Sequence, residues 1–171
     1  MAMGLSVSVT FAILLTATLV SFGILYTSFE NAYISLHEAS TDQNAALLKM
    51  RTALLELSSY RNTTLGNVSF YDVNFTLTNA GCTLSPPKWR FVYDGTYDTF
   101  SDIVVQDIEY LLPGDSINVT VQNVPKDSTV HSLVINTGTG CSMKIKWEWV
   151  GNQTQGSAEV LGSAWYCPVE G

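Results

Sequence analysis

The chain has 171 residues, a formal net charge of −7, and a composition that is 46% hydrophobic and 13% charged. The negative charge argues against nucleic-acid binding, which needs a basic footprint, and against docking on anionic lipid. The length fits one compact domain with an appendage. The charged residues are distributed unevenly and place that appendage at the N-terminus.

The N-terminal segment predicts a single membrane span. Between Leu5 and Phe29 there is no Asp, Glu, Lys, Arg or His. A helix from Leu5 to Tyr26 is roughly 33 Å long at about 1.5 Å per residue, which matches a bilayer core of about 30 Å. The side chains expected to face lipid are Leu5, Phe11, Leu15, Leu19, Phe22, Leu25 and Tyr26.

Two other roles compete for this segment. A cleaved secretory signal needs a positive n-region and a small-residue cleavage site, but Met1 to Gly4 carry no charged side chain and no Ala-x-Ala site follows Tyr26. Packing into the core of a filament is the second alternative. Neither flank is rich in Lys or Arg, so charge counting does not fix the orientation.

The helix is predicted to continue beyond the membrane as a stalk. From Glu30 to about Ser59 there is no Pro or Gly, and strong helix formers are common. Apolar residues recur mostly at steps of three, four and seven, which gives one apolar stripe. Such a stripe packs either on the protein's own domain or on a partner helix. The predicted division is therefore an anchor and stalk over 1–60 and an extracytoplasmic domain over 61–171.

The remainder of the chain predicts an all-β domain. Val73, Phe75 and Leu77 alternate with polar residues, which is the pattern of a strand with one buried face. The further predicted strands are Trp89 to Tyr93, Ile103 to Ile108, Ser116 to Gln122, Val130 to Asn136, Met143 to Val150 and Glu159 to Tyr166. About seven short strands with regular turns predict an immunoglobulin-like antiparallel sandwich. Trp147 and Trp149 fall on one face, so both belong to the core or both to the rim.

Sequons and cysteines are consistent with export. Five Asn-x-Ser/Thr triplets follow the helix and are candidate glycosylation sites: Asn62, Asn67, Asn74, Asn118 and Asn152. Cys82, Cys141 and Cys167 also follow it, and an oxidising compartment would let two of them pair. A hairpin that turns near Thr154 would place Cys141 opposite Cys167, which is the preferred bridge. Pairings through Cys82 stay open.

The sequence offers no sign of catalysis. His131 lies in a strand-like segment without a Gly-x-Ser-x-Gly elbow nearby. Metal binding is a weak alternative, because no Cys-x-x-Cys or His-x-x-x-His spacing accompanies His37 and His131. We therefore predict a protein that binds or assembles, has no cofactor and is not an enzyme.

Several short phrases resemble a known family. Met3 to Val9, then Ser21 to Tyr26, are similar to the N-terminus of the archaeal flagellin-like class. The β part agrees, with strand-and-turn phrases at Phe75 to Gly81, Leu112 to Asp115 and Ile135 to Gly138. Together they most resemble the FlaF family of archaellum accessory proteins, with the sister FlaG family as second choice.

The resemblance implies a membrane-anchored stator protein whose sandwich lies outside the archaeal cell and binds the surface layer. A sister accessory protein or the filament are the other implied partners, in a homo- or hetero-oligomer. No Lys/Arg-Gly processing site precedes the apolar helix, which makes a bulk filament subunit the second hypothesis. A tethered ligand-binding or hydrolytic module is the third.

Overall fold

A computed structural model describes residues 3–64, 69–97 and 102–168, with side chains from Ser8 onward. One helix, α1, runs from Met3 to Thr52. By its internal contacts the chain forms two compact units, Met1–Ala45 and Ala46–Gly171. The first is helical, and the second contains the last turns of α1 and all the strands.

The second unit is a β-sandwich. Its described strands are β1 Leu55–Thr63, β2 Phe70–Asn79, β3 Arg90–Tyr93, β4 Thr96–Tyr97, β5 Ile103–Val105, β6 Ser116–Pro125, β7 His131–Asn136, β8 Ser142–Gly151 and β9 Gly156–Tyr166, with a 3₁₀ helix at Pro86–Lys88. Sheet 1 has the order β1-β2-β6-β5, and sheet 2 has the order β4-β3-β7-β8-β9. All pairings are antiparallel. The predicted helix followed by an antiparallel sandwich is confirmed.

The sandwich begins earlier than the sequence predicts. Helix α1 ends at Thr52 rather than near Ser59, and the next residues form β1, which pairs with β2 along its length. Leu54 to Ser59 have good helix propensity, but Leu55 and Leu57 also alternate with polar residues. Pairing with β2 and burial of Leu55 favour the strand over the helix, because tertiary contacts override a weak local preference. The predicted strand at Ile103 to Ile108 ends at Val105.

The core lies between the two sheets and is rich in aromatic side chains. Trp147 and Trp149 are both buried, so they belong to the core and not to the rim. Trp147 donates a hydrogen bond from Nε1 to the Tyr71 hydroxyl at 3.0 Å, and its ring meets Phe75 edge to face at 5.1 Å. Burial raises the pKa of Tyr71 to about 12, so this phenol stays protonated at neutral pH. The contact between Trp147 and Tyr71 ties sheet 2 to sheet 1.

Candidate anchoring site

The apolar part of α1 is not covered by protein. Every described side chain from Ser8 to Ala46 is exposed. The most apolar 18-residue window has a mean hydropathy of 2.1 and is 0% buried. Among the predicted lipid-facing residues, exposure ranges from 48% at Leu15 to 72% at Phe22. Leu5 lies in the helix, but its side chain is outside the described residues. Uncovered apolar surface of this extent marks a membrane or protein contact.

Hydroxyl groups in the apolar segment are satisfied within the helix. Thr16 donates to the Ala12 carbonyl at 3.0 Å, and Ser21 donates to the Ala17 carbonyl at 2.8 Å. Thr27 donates to the Gly23 carbonyl at 3.1 Å. A hydroxyl that bonds a carbonyl of the preceding turn needs no water, so these side chains do not oppose insertion into hydrocarbon.

The end of α1 is joined to the sandwich without a free linker. The last carbonyls of a helix have no partner inside it and must be satisfied from outside. Here Cys82 donates its backbone N–H to the Thr52 carbonyl at 2.9 Å, and its Sγ lies 3.5 Å from the Lys49 carbonyl oxygen. The Trp165 indole donates to the Ala53 carbonyl at 3.1 Å. These contacts fix the end of α1 to the loop that follows β2 and to β9.

Asn79 and Gly81 shape the loop that receives the helix end. The fully buried Asn79 amide donates to the carbonyls of Cys82 at 2.8 Å and Leu111 at 2.9 Å, while its oxygen accepts the Gly81 N–H at 3.0 Å. A Cβ at position 81 would lie 2.1 Å from the Thr52 carbonyl oxygen. Only glycine lets the two backbones approach this closely.

Replacing Gly81 by alanine is expected to break this joint. The new Cβ meets backbone atoms that cannot rotate away, so we expect a loss of about 2 kcal/mol or more in the free energy of unfolding. Chemical denaturation of the detergent-solubilised chain measures it, and limited proteolysis should show new cleavage near residues 52–55. Gly162→Ala is the matched control, because nothing lies within 4 Å of its Cβ position. Equal stability of the two variants would contradict this account of the joint.

The structure joins Cys141 and Cys167 by a disulfide bond. Ser142 and Tyr166 are paired across β8 and β9. Cys141 precedes Ser142 and Cys167 follows Tyr166, so the two cysteines lie opposite each other at the open end of this hairpin. Cys141 Sγ also lies 3.4 Å from the Met50 carbonyl oxygen, a contact in which the oxidised sulfur has no proton to donate. Cys82 is a free, partly exposed thiol. The bridge therefore closes the sandwich at the same end as the joint.

His131 is a buried polar residue held by its neighbours. Its Nδ1 lies 2.7 Å from Asp94 Oδ2 and 3.1 Å from the Tyr93 hydroxyl. Thr129 Oγ1 is 3.4 Å from Nε2, but it donates its proton to Asp127. Hydrogen bonds from Thr129 lower the pKa of Asp127, and burial raises that of Tyr93. The cluster joins the turn between β3 and β4 to the segment that precedes β7, and it leaves Thr129 no proton to share with the imidazole.

The sequons fall mainly on sheet 1. Asn74 and Asn118 lie on neighbouring strands, and each is bonded to the other's sequon: Asn74 donates to Thr120 Oγ1 at 2.9 Å, and Asn118 accepts from Thr76 Oγ1 at 3.0 Å. Asn62 lies on β1, and Asn152 caps the exposed turn between β8 and β9. Asn67 lies outside the described residues. Occupancy of these sites stays a prediction.

Comparisons with known proteins find similar solved structures but no matching family. No protein-family model and no curated protein matches the chain. Among solved structures it is similar to the archaellum periplasmic stator protein complex FlaF and FlaG from Sulfolobus acidocaldarius. The identity is 20%, the match covers 54% of this chain and 86% of that chain, and the TM-score is 0.40.

Sequence reasoning missed the joint between helix and sandwich. Phe75 to Gly81 was interpreted as a strand followed by an ordinary turn, and nothing in its composition distinguishes a turn that receives another backbone. The one available signal is the Asn-Ala-Gly run, since glycine permits close approach. The partner carbonyls come from a segment that was assigned to the stalk.

Proposed function

We propose that this protein is a membrane-anchored accessory protein of the archaellum, in which α1 holds the molecule in the membrane and the sandwich binds a cell-surface protein. The observation that carries the proposal is the exposed apolar helix, whose last turn is bonded directly into a disulfide-closed sandwich. A stator must resist torque, and a continuous helix that ends directly in the binding domain suits that role. The archaellum assignment follows the family resemblance of the sequence, and the protein acts by binding rather than by catalysis.

Our proposal for the orientation is based on the disulfide bond and the candidate glycosylation sites of the second unit. A disulfide persists in an oxidising compartment, and N-glycans are added outside the cytoplasm. The sandwich is therefore extracytoplasmic, and the helix crosses once with its N-terminus inside. In this arrangement the two parts of the chain have separate roles. Helix α1 is the membrane anchor, and the sandwich binds the partner. The surface layer is the leading partner, followed by a sister accessory protein.

The test is fractionation of cells that express the full-length chain. We expect the protein to stay in the membrane pellet after alkaline carbonate extraction, and protease added to intact cells to cleave the sandwich. Sheared filaments should contain little of it, and deletion of the gene should stop rotation while leaving filaments assembled. Recovery as a major component of sheared filaments would overturn the anchor in favour of a filament subunit. Release by carbonate would overturn both.

A further inference from the structure

The outer face of sheet 2 has an ordered arrangement of side chains. One row across the sheet consists of Val92, Val134, Lys144 and Ala164, which are paired strand to strand. The neighbouring rows place Arg90 on one side and Lys146 on the other. We call this set of six residues the basic face. Its centre is apolar and partly exposed, and its cations are exposed.

The cations of the basic face are unusual for this chain. It has 8 Lys and Arg against 15 Asp and Glu, yet three of the cations share one face. Within residues 3–64, 69–97 and 102–168, none of the three forms an ion pair with a carboxylate. Cations without a carboxylate partner on an exposed face keep their field available to a partner, so this face can attract negative charge although the chain as a whole is acidic.

A shallow hollow lies beside the two lysines. It has a volume of about 230 Å³ and is lined by Lys144, Lys146, Leu161, Gly162, Ser163 and Ala164. β9 bulges at Leu161, which turns that side chain outward with 50% exposure, and Gly162 leaves the floor open. The hollow can accept one apolar side chain between two charges. Apolar contact within a charged rim is the usual anatomy of a protein interface.

The outer face of sheet 1 has the opposite character. Its Asn and Thr side chains bond one another across the strands, as in the pairs Asn74 with Thr120 and Thr76 with Asn118. Both Asn residues also begin sequons, so glycans there would cover sheet 1. No sequon lies on the basic face. The two faces therefore differ in both charge and accessibility.

We propose that the basic face binds an acidic protein surface on which an apolar side chain is flanked by Asp or Glu. This inference rests on the proposed function and names its contact. Charge complementarity and shape select the partner: the three cations match carboxylates, and the hollow beside two of them fits one apolar side chain, which a protein surface supplies and a layer of lipid headgroups does not. Glu148 and Glu159, paired at one edge of the same sheet, confine the acidic contact to the basic face.

Carbodiimide cross-linking in intact cells tests the contact, because this reagent joins a lysine only to a carboxylate that touches it. The full-length protein is purified afterwards, and the linked peptides are sequenced by mass spectrometry. We expect Lys144 or Lys146 to be linked to Asp or Glu of another extracellular protein. The variant Arg90→Glu keeps both lysines available to the reagent and removes one cation of the basic face, and it should reduce the yield of that conjugate about fivefold. Arg61→Glu, a charge reversal on exposed β1 of sheet 1, should leave the yield unchanged.

Each other result is decisive. Links from Lys144 to a carboxylate of this same chain in a second copy would replace the acidic partner with self-association. Links to other proteins only through residues outside the basic face, or no link at Lys144 and Lys146, would overturn the inference and leave the anchoring function standing. Release of the protein by carbonate in the same cells would instead contradict the proposed function itself.

Discussion

The double variant Leu15→Asp, Leu19→Asp is expected to leave the membrane fraction. Both side chains are exposed in the apolar part of α1, at 48% and 63%. An Asp near the centre of a membrane-spanning helix costs about 3 kcal/mol relative to Leu, so two of them cost about 6 kcal/mol. Carbonate extraction followed by immunoblotting of pellet and supernatant measures the change. The wild-type chain should stay in the pellet, and the variant should fail to insert or should appear in the supernatant.

The matched control is Ile34→Asp, Leu36→Asp. These residues lie on the same helix beyond the apolar stretch and are 48% and 72% exposed. They carry the same change in charge and helix propensity, but we place them outside the hydrocarbon. If both double variants fractionate alike, the helix is held by a partner protein and not by lipid.

Replacing Trp147 by alanine is expected to unfold the sandwich or leave it barely stable. The side chain is fully buried, contacts Phe75 and Tyr93, and donates the hydrogen bond that joins the sheets. A large aromatic cavity costs about 3 to 5 kcal/mol, which is a major part of the stability of a domain of this size. Tryptophan fluorescence and circular dichroism during chemical denaturation of the solubilised protein measure the loss.

Two further variants separate the contributions at this position. Trp147→Phe keeps most of the volume but removes the donor to Tyr71, and we expect a loss of about 1 to 2 kcal/mol. Tyr166→Ala removes an aromatic ring that is 66% exposed, and it should change the stability by less than about 0.5 kcal/mol. A stable Trp147→Ala variant would show that the core between the sheets does not depend on this residue.

The sequence predicts the sandwich well where one face of a strand is buried. The alternation around Phe75 and around Ile145 matches the observed strands β2 and β8, because burial of every second side chain leaves its mark directly in the residue types. β1 was missed, since its start looks helical and only pairing with β2 makes it a strand. β4, with two exposed residues, leaves no apolar signal.

The candidate sites also differ in how far the sequence predicts them. The apolar helix is visible in composition alone, since it is a long run without charge. The joint depends on backbone carbonyls at the end of α1 that accept hydrogen bonds from Cys82 and Trp165. Every residue has a backbone carbonyl, so the residue types do not show which ones are used. The basic face depends on register, which brings Arg90 on β3 near Lys144 on β8. Contacts between distant segments become visible only when the strand order is known.

The joint at the end of α1 also determines how the protein would respond to a mechanical load. The bonds from Cys82 and Trp165 to the helix end come from the loop after β2 and from β9, and the bond from Ala80 to the Leu54 carbonyl at 2.9 Å adds a third point. These three bonds hold consecutive residues, Thr52, Ala53 and Leu54, so the helix end separates from the sandwich only when all three break. Under load, the last turn of α1 should therefore be lost only together with the sandwich.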